Sequence, residues 1–479
     1  MFLKGIKLAT AALMTLRVSS TLLSEVPEGT PLQIHHAFNN MNTEESTGLS
    51  FTWTTRENST RLLASKCNVV RVTNSDGATR DFMGLSNSYN TTDDLLHTVD
   101  VTGLEFEMDY SYQVGCDRLR WSDTHHFTSP PRPVTQDTRQ DLEKSFSFLS
   151  YGDMGVGNSA VGTKDAIIKD DTKYEFLLHN GDISYACGAD GVWDQWFDLI
   201  EPYANKFPYM TTQGNHDLLP ADSGGEDGIP YATRFKMPDD GSNLIDNKLY
   251  YSFTHRYVKF IQIATDVPYY GGDDYDGDDT EQYKWLEQEL IDANSGDNRL
   301  SVPWIIISGH KPMYCSSTYG TNDRSSETGL GNSGSITRYL EPLLEKYNVD
   351  VFLAGHIHAY ERTKPVGGNG TLIDEDSIRP NPDGIGDIYA SPSHPVHLLL
   401  GMAGAGHLDE EWNVWDDGAW AVHNEETYGY MSMTFHNASA FEMTFIANGN
   451  GVLANGTMLE DSELGVNEPS VHDRVIILK

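Results

Sequence analysis

A chain of 479 residues is too long for one ordinary domain, and 38% hydrophobic content with 11% aromatics excludes wholesale disorder. Its 33 basic against 70 acidic residues leave a formal charge of −37, a mean field that repels nucleic acid and anionic membrane surfaces. A phosphate-bearing ligand would therefore have to be drawn in locally, by cations held at a site. Along the chain, Lys4 and Lys7, the apolar run LATAALMTL and the small-residue stretch VSS read as a secretory signal over 1–20. Arg17 breaks that run, and no other stretch approaches the ~20 apolar residues of a membrane helix, so none is expected. Sequons at Asn58, Asn90, Asn369, Asn437 and Asn455 fit a secreted glycoprotein.

Residues 25–130 carry short alternating segments, LSFTWTTR, NVVRVTN, HTVDVTG, YSYQVG and HHFTS, separated by turn-rich stretches such as NSDG. Short strands at this spacing without helical period predict an antiparallel β-sandwich, of fibronectin-III type. Cys67 and Cys116 both fall within it, so a bridge between them is the simplest pairing. The PPRP stretch opens a polar linker over 131–144.

From 145 to 479 the pattern becomes α/β. FSFLSYGD, YEFLLHNGD, YMTTQGNHD, VPWIIISGH and VDVFLAGH are apolar runs ending at Gly and a polar residue. VGTKDAIIKD, WDQWFDLIEPYAN, EQYKWLEQELIDAN and ITRYLEPLLEKYN are helices between them. The last places Ile336, Tyr339, Leu340, Leu343, Leu344 and Tyr347 on one face, the stripe of a helix lying on a sheet. DDYDGDD at 273–279 reads as a solvated loop, with a calcium loop as the alternative. PVHLLLGMAG, YGYMSMTFHN, FEMTFIANGNG and VIILK are further strands completing the same domain.

A Gly at the end of a buried strand lets the backbone turn and aims the next side chain into a crevice. The residues so presented are all metal donors: Asp153, Asp182 with Tyr185, Asn215, His310, and His356 with His358. A site for two ions ~3.5–4 Å apart needs one bridging carboxylate, and Asp182 is the best placed. Asp153 and His358 would join it on one ion; Asn215, His310 and His356 on the other. Many two-metal phosphoesterases begin with Asp-x-His; here Gly155 occupies that position, and a Tyr185 phenolate can fill the vacancy. A phenol with an ordinary pKa near ~10 binds as phenolate at low pH only to a strongly polarising ion, which favours ferric iron. The Asn/His/His set suits a divalent partner such as Zn, Mn or Fe. Cys187 and Cys315 follow two of these motifs; if the motifs converge, the two sulfurs are expected to clamp the loops together, with thiols as the alternative.

The series GDxG, GDxxY, GNH[D/E], [V/I]xxH and GHxH, in this order over about 145–365, resembles that of the purple acid phosphatases. The resemblance implies a two-sheet αββα metallophosphoesterase domain behind the sandwich and an Fe(III)–M(II) centre. It implies hydrolysis of small phosphomonoesters at acidic pH by hydroxide that the metals generate. It makes Asp153, Asp182, Tyr185 and His358 the Fe(III) ligands, and Asp182, Asn215, His310 and His356 those of M(II). His216 is the candidate proton donor, with Asp217 expected to hold its imidazole. Plant-type members carry a further His pair about ten residues after the [V/I]xxH histidine. Here KPMYCSSTYGTNDRSS has no His, and Tyr319 or Arg324 are the substitutes to consider. A phosphodiesterase on the same centre and a non-catalytic extracellular binding protein are the competing readings. A homodimer is left open.

Overall fold

The computed structural model describes residues 27–43, 45–56, 66–89, 92, 94–238, 249–266, 281–316, 335–405, 420–449 and 469–479. The signal at 1–20, Asn58, Asn90, Asn455, the acidic run 273–279, Tyr319 and Arg324 lie outside these residues. Among those described, no helix is long and apolar enough to cross a membrane.

The N-terminal part is a sandwich of two four-stranded sheets. One runs Pro31–Phe38, Thr47–Thr55, Leu95–Leu104, Leu85–Asn87 in spatial order; the other runs Thr79–Met83, Val69–Thr73, Asp109–Gly115, His125–Thr128. Alternate residues such as Phe51, Val70, Val72, Val99 and Val101 meet between them. Cys67 and Cys116 form the expected bridge, across strands already paired at Val69 and Gly115. Strand Pro31–Phe38 is buried on both faces and so shows no alternation. His36 stacks inward on Phe51 at 5.0 Å, while His35 stacks on Phe197 of the following domain at 4.8 Å.

The stretch between the two units is ordered. It contains a 3-10 helix, Gln136–Glu143, and Val134 donates its amide to the Arg256 carbonyl at 2.8 Å. Arg256 reaches back to Glu107 of the sandwich at 2.8 Å and to Glu175 at 2.7 Å, fastening the two units together.

The second unit has two sheets face to face. The eight-stranded one runs Tyr209–Thr212, Tyr174–Asn180, Phe146–Tyr151, Tyr428–Asn437, Ala440–Gly449, Ser470–Leu478, Asp387–Ala390, Ile378–Pro380. The seven-stranded one runs Tyr251–His255, Val258–Gln262, Trp304–Ser308, Val351–Ala354, Val396–Leu400, Tyr360–Thr363, Ala421–Glu425. Aromatic side chains fill the space between: Phe148 stacks on Phe176 at 4.8 Å and meets Phe260 of the opposite sheet edge-on at 5.3 Å. A buried Arg362–Asp473 pair, 2.6 Å apart, also joins the sheets, and Tyr360 donates to the same carboxylate at 2.7 Å.

Helices cover the outer faces. Leu286 and Leu290 of Glu281–Asn294 pack with Ile336, Leu340, Leu343 and Leu344 of Ser335–Lys346 over Ile305 and Ile307. Asn158–Lys169 and Asp190–Ala204 lie on the other side. The layers are thus helix, sheet, sheet, helix. The C-terminal strands divide between the two sheets, with Val396–Leu400 and Ala421–Glu425 in one and the rest in the other.

Candidate metal centre

Five parallel strands point their carboxyl ends at one place. Phe146–Tyr151, Tyr174–Asn180 and Tyr209–Thr212 run parallel in one sheet; Trp304–Ser308 and Val351–Ala354 run parallel in the other. The loops that leave them carry Asp153, then Asp182 and Tyr185, then Asn215 and His216, then His310, then His356 and His358. These loops are tight. Asp153, Asp182, Tyr185 and His356 all have left-handed backbones, with φ of 59°, 51°, 54° and 78°. Such clustering of strained non-glycine residues is characteristic of a functional site. Two motif glycines are explained by close approach. A methyl at Gly181 would enter the His310 ring, and one at Gly214 would collide with the Asp182 carboxylate.

The donors fall into two groups. In the first, the Tyr185 hydroxyl is 3.0 Å from Asp153 Oδ1 and 2.8 Å from His358 Nε2. In the second, Asn215 Oδ1 is 3.1 Å from His310 Nε2 and 3.0 Å from His356 Nδ1, and the two imidazoles are 3.2 Å apart. Asp182 touches the second group, its Oδ2 3.3 Å from His310 Nε2. Asp182, His310 and His356 have ligand atoms all within 4.8 Å of one another. The side chains the sequence singled out are therefore together.

Their hydrogen bonds prepare them to bind cations. His310 Nδ1 lies 2.9 Å from the Asn180 carbonyl, which can only accept, so Nδ1 carries a proton and Nε2 is the nitrogen turned to the site, where it would serve a cation. The His356 amide donates to Asp153 Oδ2 at 2.8 Å and the His216 amide to Asp182 Oδ1 at 2.8 Å, orienting both carboxylates. Asp153 and Asp182 are both 1% exposed or less, an expensive pair of carboxylates unless cations accompany them. The ionisation equilibria agree. Burial alone would raise the Asp182 carboxyl; His310, His216 and His356 outweigh it and hold it well below the usual range. Burial lowers His310, but the adjacent Asp182 drives it up to about 10. Burial and the Asp153 and Asp182 charges push the Tyr185 phenol well above its ordinary value. A cation between these groups opposes the shifts at His310 and Tyr185 and acts in the same direction as the one at Asp182, because it favours carboxylate, neutral imidazole and phenolate alike. The donor set fits metal.

Two expectations are corrected. Cys187 and Cys315 do not bridge; both are thiols. Cys187 turns its sulfur to His216, 3.8 Å from Nδ1, whereas Cys315 is buried with Ile357 and Leu399. The loops converge through their donors, not their sulfurs. Nor does Asp217 hold the His216 ring. In the short helix Asn215–Leu218 neighbouring side chains diverge by roughly 100°. The Asp217 carboxylate turns inward to the amides of Gly214, at 2.9 Å, and Ile183, at 3.1 Å. His216 Nδ1 instead meets the Asp222 carbonyl at 3.2 Å, and the ring lies 4.7 Å from that of Tyr185. Asp222 and Asn180 were not foreseen. Asn180 sat in plain view before Gly181, but a residue acting through its carbonyl leaves no side-chain signal.

Residues 122–360 match the family model for calcineurin-like phosphoesterases, so fold and centre define the chain as a metallophosphoesterase. Residues 31–129 match the purple acid phosphatase N-terminal domain and 394–455 the iron/zinc purple acid phosphatase-like protein C. Mouse acid phosphatase type 7 is 30% identical over 358 residues, covering 72% of this chain and 72% of that protein. Probable inactive purple acid phosphatase 9 of Arabidopsis thaliana is 28% identical over 413 residues, covering 75% of this chain but only 56% of the relative. The chain thus spans little more than half the length of such plant relatives. Purple acid phosphatase PPD1 from yellow lupin seeds superposes with a TM-score of 0.72 at 22% identity, over 94% of this chain and 74% of that one. The chain belongs to the purple acid phosphatase family.

Proposed function

We propose that this protein hydrolyses phosphomonoesters at acidic pH on a dinuclear Fe(III)–M(II) centre. The observation that carries the reading is the grouping of seven donor side chains into an oxygen-rich set, Asp153, Tyr185 and His358, and an Asn215/His310/His356 set, with Asp182 beside the latter. Asp153, Asp182, Tyr185 and His358 would hold Fe(III); Asp182, Asn215, His310 and His356 would hold Zn, Mn or Fe as M(II). When bound, the ions supply Lewis acidity, neutralising phosphoryl charge and making water nucleophilic at low pH.

The chain's own residues do the rest. His216 has its Nδ1 proton tied to the Asp222 carbonyl, which leaves Nε2 as the nitrogen that protonates the departing alkoxide. Asp217, acting on the Gly214 and Ile183 amides, fixes the loop from which Asn215 and His216 project. The N-terminal segment supports secretion; N-terminal sequencing of protein recovered from culture medium would locate the cleavage.

The test is turnover of p-nitrophenyl phosphate against bis(p-nitrophenyl) phosphate near pH 5, with elemental analysis. The expected result is monoester preference with one iron and one divalent ion per chain. Preference for the diester would move the assignment to a phosphodiesterase. The word "inactive" in the names of plant relatives motivates a non-catalytic reading, and metal-loaded protein without turnover of either ester would establish that one instead.

A further inference from the structure

We infer that Asp222 is a positioning residue that gives the divalent subsite its affinity, an inference that rests on the dinuclear reading above. The argument begins with an ambiguity in asparagine. An Asn side chain presents a donor on one side and an acceptor on the other, and only the oxygen can serve a cation. Asn215 must therefore be prevented from turning its NH2 toward the ions.

Asp222 does this. Its Oδ2 accepts from Asn215 Nδ2 at 3.2 Å, and a carboxylate offers no proton to the opposite face of the amide. With Nδ2 committed outward, Oδ1 is left between His310 Nε2 and His356 Nδ1, at 3.1 and 3.0 Å. The same residue's carbonyl takes the His216 Nδ1 contact at 3.2 Å, so one position orients both side chains that project from the GNHD loop.

Asp222 can hold them because its own segment is clamped. The Asp222 and Ser223 amides both donate to the Leu219 carbonyl, at 3.0 and 2.8 Å, and Gly225 donates to Pro220 at 2.9 Å. Ser223 is fully buried. Glu226 then grips the loop that carries Tyr185, accepting from the Gly188 amide at 3.2 Å and from Trp193 Nε1 at 3.1 Å. Gly224 and Gly188 interlock there so closely that a methyl on Gly224 would strike the Cys187 carbonyl. The segment around Asp222 is thus braced against the Tyr185 loop.

The experiment strips metal from the wild type, Asp222→Ala and Asp222→Asn, reloads iron, and titrates Zn²⁺ by calorimetry and elemental analysis, with the visible spectrum recorded throughout. Asp222→Ala keeps the backbone carbonyl and removes only the carboxylate. It is expected to bind Zn²⁺ about 10–100-fold more weakly while keeping its iron and its visible band. Activity should return at saturating Zn²⁺. Asp222→Asn still offers an acceptor oxygen to Asn215 and should stay within a few-fold of the wild type. Unchanged Zn²⁺ affinity in Asp222→Ala, loss of iron together with zinc, or activity that saturating Zn²⁺ does not restore would each overturn the inference. A wild type that takes up neither ion would instead bring down the dinuclear reading itself.

Discussion

Replacing His36 by leucine should stabilise the protein selectively at acidic pH. His36 is fully buried in the sandwich, with ring centroids of Phe51, Phe127 and Tyr112 at 5.0, 5.9 and 6.2 Å. Neither ring nitrogen has a hydrogen-bond partner among the described residues. Burial, then the neighbouring His35 and His125, lowers its pKa from the ordinary 6.5 to about 3. Because the folded value is depressed, the unfolded chain takes up the proton first. The folded state therefore has its full stability above 6.5 and loses it as the pH falls toward 3. At pH 5 only the unfolded form is charged, and the loss is about 2 kcal/mol, from 1.36 kcal/mol per pH unit over one and a half units. His36→Leu removes the titration while roughly conserving volume. Urea unfolding of both proteins at pH 8 and pH 5 should give a stability difference that shifts toward the variant by about 2 kcal/mol between the two conditions. Any packing change is common to both pH values and cancels. Parallel curves, with a shift below about 0.5 kcal/mol, would mean that the imidazole is protonated or hydrogen-bonded in the folded protein, and the burial argument would be wrong. His97 and His397, each lowered to about 3 by burial, should add to the same acid sensitivity.

Three further outcomes are expected. Tyr185→Phe should abolish the visible band on an iron-loaded sample; a band of undiminished intensity would remove the phenolate from the centre. Gly181→Ala adds a methyl within 2.8 Å of three His310 ring and Cβ atoms on a backbone at φ 81°, so metal affinity and unfolding midpoint should both fall; wild-type values for both would show that the loop can relax. Asp473→Ala strands the buried Arg362 guanidinium between the sheets and should cost about 3–5 kcal/mol by denaturant titration, with less than 1 kcal/mol showing that Asp387, 3.1 Å away, suffices.

Much of this was legible because the physics was local. An apolar run, a Gly and a donor together say strand, sharp turn and a side chain turned into a crevice. Five such units were enough to single out Asp153, Asp182, Tyr185, Asn215, His310, His356 and His358, which the fold brings together. The amphipathic stripe of Ser335–Lys346 was readable for the same reason, and Ile336, Leu340, Leu343 and Leu344 are buried as it requires, despite the interior Pro342. What escaped was tertiary. Pro31–Phe38 is covered by sandwich on one face and by Asp190–Ala204 on the other, so its sequence does not alternate. The hairpin Tyr251–His255 and Val258–Gln262 likewise has its apolar residues spread over two environments, with Phe260 between the sheets and Ile261 under a helix. The Cys187–Cys315 clamp failed because proximity of two loops does not fix the direction of each sulfur.

The donors are drawn from both sheets, three loops from one and two from the other, and no single sheet carries all the proposed ligands of either ion. A nascent chain halted after residue 300 holds Asp153, Asp182, Tyr185 and Asn215 but lacks His310, His356 and His358, every imidazole among the proposed ligands. On the proposed dinuclear reading, neither ion would have its full donor set until Trp304–Ser308 and Val351–Ala354 have docked. Metal uptake would then come late in folding, and a mutation that merely loosens the seam between the sheets should look, in an assay, like a defect in metal supply.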